Sequence, residues 1–251
     1  MKPWIRWGTT LGLVSSTLLG SLFFTGAQVL ALPKEQILQK LLDVPVFTIT
    51  DKQGSPLVAS SQEGEDGQEV AVAGVFIVRQ DAQAFITQLR KSNPDLARSV
   101  KVSPVRMSEV YELALEAQEN KENLEFAYVP AEDQVNTALS LINQSRKKEN
   151  QAALQEFNGV PLFAAIGGKQ GGYLTVEQDN QQIIPFFFNQ AELQLMIDRF
   201  KREKPDLADT VSIQVLVLEE VLDIFRRDNN PELERIWLVP PQTSVDFVNS
   251  Q

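Results

Sequence analysis

The sequence predicts an α/β (mixed α+β) fold of two tandem, pseudo-twofold-related ββ(β)αβαβα units, with helices covering a mixed sheet. Three observations carry this prediction. Pro94-Asp95-Leu96-Ala97 recurs as Pro205-Asp206-Leu207-Ala208, a spacing of 111 residues. Other landmarks recur in the same order: Val44-Pro45-Val46-Phe47 as Val160-Pro161-Leu162-Phe163, and Val129-Pro130 as Val239-Pro240. The apolar pattern repeats between them. Phe85, Ile86 and Leu89 answer Met196, Ile197 and Phe200, while Val100 and Val102 answer Val211 and Ile213. Each copy has roughly 90–100 residues, the size of a small domain.

Ahead of the first copy, residues 1–31 stand apart. Lys2 and Arg6 precede the apolar run Leu11 to Leu22 and Phe23-Phe24, and Val29-Leu30-Ala31 offers small residues at a cleavage position. This is the pattern of a secretory signal peptide, with cleavage expected after Ala31. Gly12, Ser15, Ser16, Gly20 and Ser21 interrupt the run, which makes an uncleaved membrane anchor the weaker alternative. A plastid transit peptide would be richer in serine and arginine and would lack the compact apolar centre. Residues 32–43 follow as a short N-terminal helix, with Ile37, Leu38, Leu41 and Leu42 on one face.

The first repeat spans 44–143. Val44 to Thr50 reads as a strand, Asp51-Lys52-Gln53-Gly54 as a turn, and Pro56 to Ala59 as a returning strand. Gln62 to Glu69 is an acidic loop, and Val70 to Val78 a third, apolar strand. Asp81 is placed to cap a helix whose stripe is Ala82, Phe85, Ile86 and Leu89. Asn93-Pro94 ends that helix. Val100 to Val105 reads as a short or edge strand because of Pro104. A helix with stripe Met107, Val110, Tyr111 and Ala114 follows, then a strand at Leu124 to Val129. A third helix with stripe Val135, Ala138, Leu139 and Ile142 follows Pro130. Residues 144–156, with Arg146-Lys147-Lys148, form a polar connection that prolongs this helix.

The second repeat, 157–251, replays the order. Val160 to Ile166 and Tyr173 to Val176 flank a glycine-rich turn, and Ile183 to Phe188 is the apolar strand. Asn189 with Glu192 makes a capping-box-like helix start, with the stripe Leu193, Met196, Ile197 and Phe200. The next helix shows Leu218, Val221, Leu222 and Phe225. Trp237 to Val239 is a strand, and Val245 and Val248 begin a final helix that the chain ends early. Sheets of four or five short strands bury little core separately, so one fused body is expected.

Composition narrows the function classes. The 251 residues are 43% hydrophobic and 22% charged, an ordinary globular balance. There is no cysteine, so an oxidising compartment is not used for disulfides. The chain carries 23 basic and 33 acidic residues, a net −10; without the two basic residues of 1–31 the remainder is at −12. Such a charge opposes general electrostatic binding to nucleic acid or anionic lipid.

Catalytic material is sparse. With no histidine or cysteine, Ser-His-Asp, Cys-His and histidine-rich metal chemistry are excluded. The repeating acids Asp95/Asp206 and Glu109/Glu220 could form carboxylate pairs. Turn hydrogen bonding and the polar faces of helices explain them more simply. Gly167-Gly168-Lys169-Gln170-Gly171-Gly172 resembles a phosphate loop, but no Ser or Thr follows the lysine and the segment lies between strands, so it reads as a hairpin turn. Asn143-Gln144-Ser145 is a glycosylation sequon that matters only in a eukaryotic secretory route. No catalytic residues, metal ligands, cofactor-binding residues or cofactors are expected, and the protein is read as not an enzyme.

Apolar excess is the more informative feature. Phe186-Phe187-Phe188 places phenylalanine on both faces of one strand, and Phe76-Ile77-Val78 does likewise in the first repeat. Two-sided apolar strands are ordinarily central strands covered by helices. The sharper alternative is that one face floors a groove open to extended apolar peptide. Phe47, Phe76, Val78, Phe163, Phe186, Phe187 and Phe188 are then the candidate client-binding apolar surface.

The order Val-Pro-Val-Phe, apolar strand, helix ending Asn-Pro-Asp-Leu, Val-x-Val strand and Tyr-Val-Pro resembles a known family from Val44 to Phe247. It is the 22-kDa component of the chloroplast inner-envelope translocon and its cyanobacterial relatives. The bacterial-type signal peptide points to the cyanobacterial branch. The resemblance implies a pseudo-twofold α/β body with apolar surface pockets, working in a space between two membranes. It implies a periplasmic chaperone (holdase) for unfolded outer-membrane β-barrel precursors, supporting outer-membrane biogenesis and protein transport. The alternative is a structural adaptor for the POTRA domains of the β-barrel assembly protein. The periplasm is the expected location, with the thylakoid lumen as the other compartment, and no integral membrane span is expected after signal cleavage.

Overall fold

A computed structural model describes residues 11–14, 32–61, 69–168, 171–228 and 230–251. Most of the expected signal peptide, the loop 62–68 and the Lys169-Gln170 pair of the glycine-rich turn lie outside the described residues. The elements run β1 (Leu11–Val14), α1 (Lys34–Leu41), β2 (Pro45–Thr50), β3 (Val58–Ser61), β4 (Val70–Phe76), α2 (Arg79–Ser92) and α3 (Pro94–Ser99). Then come β5 (Lys101–Arg106), α4 (Met107–Asn120), β6 (Leu124–Val129) and α5 (Glu132–Lys148). The second repeat supplies β7 (Pro161–Gly167), β8 (Gly172–Gln178), β9 (Gln181–Phe187), α6 (Gln190–Glu203), β10 (Ser212–Val217), α7 (Leu218–Arg227), β11 (Ile236–Val239) and α8 (Gln242–Asn249).

The duplication holds at the level of single hydrogen bonds. β2 pairs antiparallel with β5 and β4, β3 pairs with β4, and β6 runs parallel to β4. The second sheet repeats each pairing with β7, β10, β9, β8 and β11 in the same roles. Phe47 faces Phe76 across one ladder and Phe163 faces Phe187 across the other. The Met107 N–H donates to Val44 O at 2.9 Å, and the Leu218 N–H to Val160 O at 2.8 Å. Ile77 and Phe188 each donate to the last strand of their repeat, at Val129 O and Val239 O, both at 3.1 Å. Such correspondences require one backbone path drawn twice, with helix-linked parallel strands making each sheet mixed.

The echoed tetrapeptides are helical turns. Asn93 ends α2, and its Oδ1 accepts the Leu96 N–H at 3.1 Å, capping α3. Pro205–Thr210 forms a 3₁₀ turn in the equivalent place. Proline suits both, because the first turn of a helix has no partner for the missing N–H. Asn189 caps α6 as its sequence suggests, accepting from Ala191 N at 2.9 Å and Glu192 N at 3.3 Å. Asp81 does not cap α2. Val78 occupies that position without a side-chain bond, and Asp81 lies inside the first turn. Burial pushes its carboxyl up from the usual aspartate range, opposed by a hydrogen bond from the Glu132 backbone, while Asp133 and Glu132 add to the rise.

The chain packs as two units, and their boundaries cross the repeats. One unit comprises 37–135 and 240–251, the other 1–36 and 136–239. In the first, α8, the last helix of the second repeat, joins the sheet β3-β4-β2-β5 with β6. Phe247 meets Phe47 edge-on at 5.8 Å, Arg79 lies over the Phe247 ring at 4.4 Å, and Ser244 Oγ donates to Ile77 O at 3.1 Å. In the second, α5 of the first repeat contributes Ala138 and Leu141 to the core formed by Phe163, Phe187 and the α6 stripe. The connection 149–156 folds back on α5. The Asn143 carboxamide exchanges hydrogen bonds with Leu154 N and O at 2.7 and 3.0 Å, so the sequon asparagine is structurally engaged.

Candidate functional site

Strand alternation places Phe187 and Ile183 on one face of β9, with Ile184 and Phe186 on the other. Helices cover both faces. Leu193, Met196, Ile197 and Phe200 of α6 close over Phe187 and Phe163. On the other face Phe186 meets Tyr173 at 5.5 Å, beside the buried α7 stripe Leu218, Val221, Leu222 and Phe225. Burial pushes the Tyr173 phenol up to about 12, an effect its hydrogen bond with Gln214 reduces. An apolar pocket between Tyr173, Phe186, Val221, Phe225 and Ile236 has a volume of about 30 Å³. That is room for water-sized occupants, not for a peptide.

This corrects the expectation of an open aromatic floor. Phe47 and Phe163 are fully buried, Phe76, Phe186, Phe187 and Phe188 are buried, and Val78 is half-buried. The phenylalanines on both strand faces are there because a helix packs on each face. The repeating acids also lack a shared cleft. Asp95, Asp206, Glu109 and Glu220 are each exposed on a separate helical element. Asp95 pairs with Arg98, and Glu109 accepts the Arg106 N–H at 3.2 Å, where it caps α4.

The surface feature that the sequence pattern conceals lies on α2. Phe85 and Met196 occupy matching positions in the two repeats, yet Phe85 is 45% exposed and Met196 only 4%. The core around Phe47, Ile49, Phe76, Ala82 and Ile86 is small, and the hydrophobics packed on it are only partly buried: Leu57, Val100, Val102, Val129 and Phe247. The helix supplied from the other repeat also differs. α5 has 17 residues, whereas α8 has eight, with Val248 in its last turn at 39% exposure. At ~1.5 Å per residue α8 is about half as long as α5. Phe85 rests on Phe76 at a ring distance of 5.8 Å, which fixes the exposed ring in place. The sequence does show an aromatic at the position that holds methionine in the other copy.

Residues 13–250 match the Tic22-like family. The chain belongs to that family. Protein TIC 22, chloroplastic, from Pisum sativum is 25% identical over 212 residues, covering 84% of this chain and 74% of the relative. Its Arabidopsis thaliana counterpart is 25% identical over 224 residues, covering 88% and 73%. Among solved structures, Anabaena Tic22, described as a protein-transport protein, superposes with a TM-score of 0.75 at 26% identity, over 88% of this chain and 98% of that one. Tic22 from Plasmodium falciparum shares the fold, with a TM-score of 0.63 at 22% identity, over 85% and 96%. Among the described residues, no helix is long and apolar enough to cross a membrane.

Proposed function

We propose that this member of the Tic22-like family is a non-enzymatic periplasmic holdase. With residues 1–31 removed on export, it shields apolar segments of outer-membrane precursors on their way to assembly. The observation that carries this reading is the fixed, exposed Phe85 ring in one unit, where the other unit buries the matching residue. Unfolded barrel strands alternate apolar residues and aggregate in water, so their carrier needs apolar surface on a soluble body. Without residues 1–31 the net charge is −12, which keeps such a body dispersed. Burying the exposed part of one phenylalanine yields only about 1 kcal/mol, so release needs no nucleotide, only a tighter acceptor or folding of the client.

Dilution of a denatured outer-membrane β-barrel protein into buffer with this chain, followed by light scattering, tests the reading. The chain is expected to suppress scattering at near-equimolar ratio, and Phe85→Ser, folded by circular dichroism, to lose most of that effect. Scattering as fast as with an inert acidic protein would end the holdase proposal. Selective binding of folded POTRA domains alone would replace it with an adaptor.

A further inference from the structure

The sheet edge next to β1 carries information that the exposed ring does not. Leu11–Val14 pairs antiparallel with β8, in the register Leu11 to Val176 and Val14 to Tyr173. We infer that the outer edge of β8 is a strand-addition site for an extended, apolar, uncharged segment of a client chain, occupied by Leu11–Val14 until residues 1–31 are removed. The inference rests on the reading of this protein as a carrier of unfolded clients and names the form in which it takes them.

Over the paired residues Tyr173–Val176, β8 carries no charge to protect the edge, and Glu177 lies just beyond them. The strand has seven residues, Gly-Tyr-Leu-Thr-Val-Glu-Gln, with no proline and no lysine. The equivalent strand of the first repeat, β3, is blunted: it has four residues, is approached from Pro56, and exposes Val58, Ala59 and Ser60. β8 is also held rigid. Tyr173 packs on Phe186 on one face, Leu174 and Val176 enter the core on the other, and Thr175 Oγ1 donates to Gln182 at 2.6 Å. A preorganised edge gives up little entropy when a strand joins it. In strand addition the main chain supplies affinity and alternate side chains select the sequence. The Leu-Gly-Leu-Val segment that pairs here is short, apolar and uncharged, which defines the class of segment the edge accepts.

The experiment uses the full chain and its Gly12→Pro/Leu13→Pro variant, since proline removes ladder donors from β1. Two fluorescent peptides serve as probes: one copies residues 8–17, and the other is a decapeptide of alternating valine and threonine. The variant is expected to bind both about tenfold more tightly than the unsubstituted chain, because the tethered competitor is gone. Amide exchange over 172–178 is expected to be faster in the variant and to slow again when peptide is added. Equal affinities with unchanged exchange at 172–178 would overturn the inference. Protection confined to α2 around Phe85 would overturn it too, while leaving the carrier reading intact. A variant that sediments as a dimer, with 172–178 protected in the absence of peptide, would assign the edge to a second copy and likewise overturn it. Peptide capture at β8 without suppression of client aggregation keeps the edge and removes the carrier.

Discussion

Phe187→Ala is expected to lower the stability of its unit by about 3–5 kcal/mol in urea denaturation, the range for truncating a large aromatic in a packed core. Phe187 is 1% exposed, faces Phe163 across the ladder and lies beneath the α6 stripe. Helix and strand both hold its surroundings in place, so the cavity cannot collapse. The predicted loss is a large share of the roughly 5–15 kcal/mol that stabilises ordinary domains. A loss below about 1 kcal/mol would mean that the site repacks and that the central core is misassigned. The same reasoning makes serine at Phe76 or Phe187 a folding mutation, unsuited to probing client binding. Serine at the half-exposed Phe85 removes surface while leaving the fold.

Gly159→Ala is the second large effect. Gly159 has φ +91, and an added Cβ would stand 2.7 Å from Glu219 Oε2 and 2.7 Å from Val217 Cγ1. The left-handed backbone alone disfavours alanine by about 1–2 kcal/mol. Displacing Glu219 also breaks the bond its Oε2 accepts from Val160 N at 3.0 Å, at the point where β7 begins and α7 starts. Loss of that bond leaves a part-buried donor unpaired, adding about 1–3 kcal/mol. Together these are expected to lower the midpoint of urea unfolding clearly more than Gly54→Ala, where φ is +93 but an added Cβ meets nothing within 4 Å. Equal effects at the two glycines would show that the crowding at Gly159 is relieved at no cost.

What could be read from the sequence was local or repeated. The stripe Leu193, Met196, Ile197 and Phe200 is the buried face of α6 because helical periodicity is a local signal. The echo matches Phe47 with Phe163, so the two copies share a register, but that Phe47 pairs with Phe76 and Phe163 with Phe187 came from the structure. Covering was not legible. Phe186-Phe187-Phe188 shows that both faces are apolar, but not that α6 and α7 cover them. The reciprocal placement of α5 and α8 is a long-range choice with no local signature. The exposure of Phe85 was hidden as well, because it occupies an apolar stripe position of α2 that the matching helix buries as Met196. The pairing of Leu11–Val14 with β8 was hidden for a related reason. Its apolar run signals a leader, while the partner edge lies about 160 residues away.

The central claim of the proposed function is that the exposed Phe85 on α2 contacts clients, whereas the matching face of α6 does not. A photo-crosslinking benzoylphenylalanine at Phe85, compared with one at Leu195 on the matching helix, tests it directly. Leu195 is the more exposed of the two, at 71% against 45%, so exposure alone favours the control position. Lone exposed leucines are ordinary surface. With a denatured β-barrel protein as client, the account predicts a strong adduct from position 85 and little from position 195. Equal adducts, or more at 195, would contradict it and point to capture by exposed apolar atoms anywhere on the molecule.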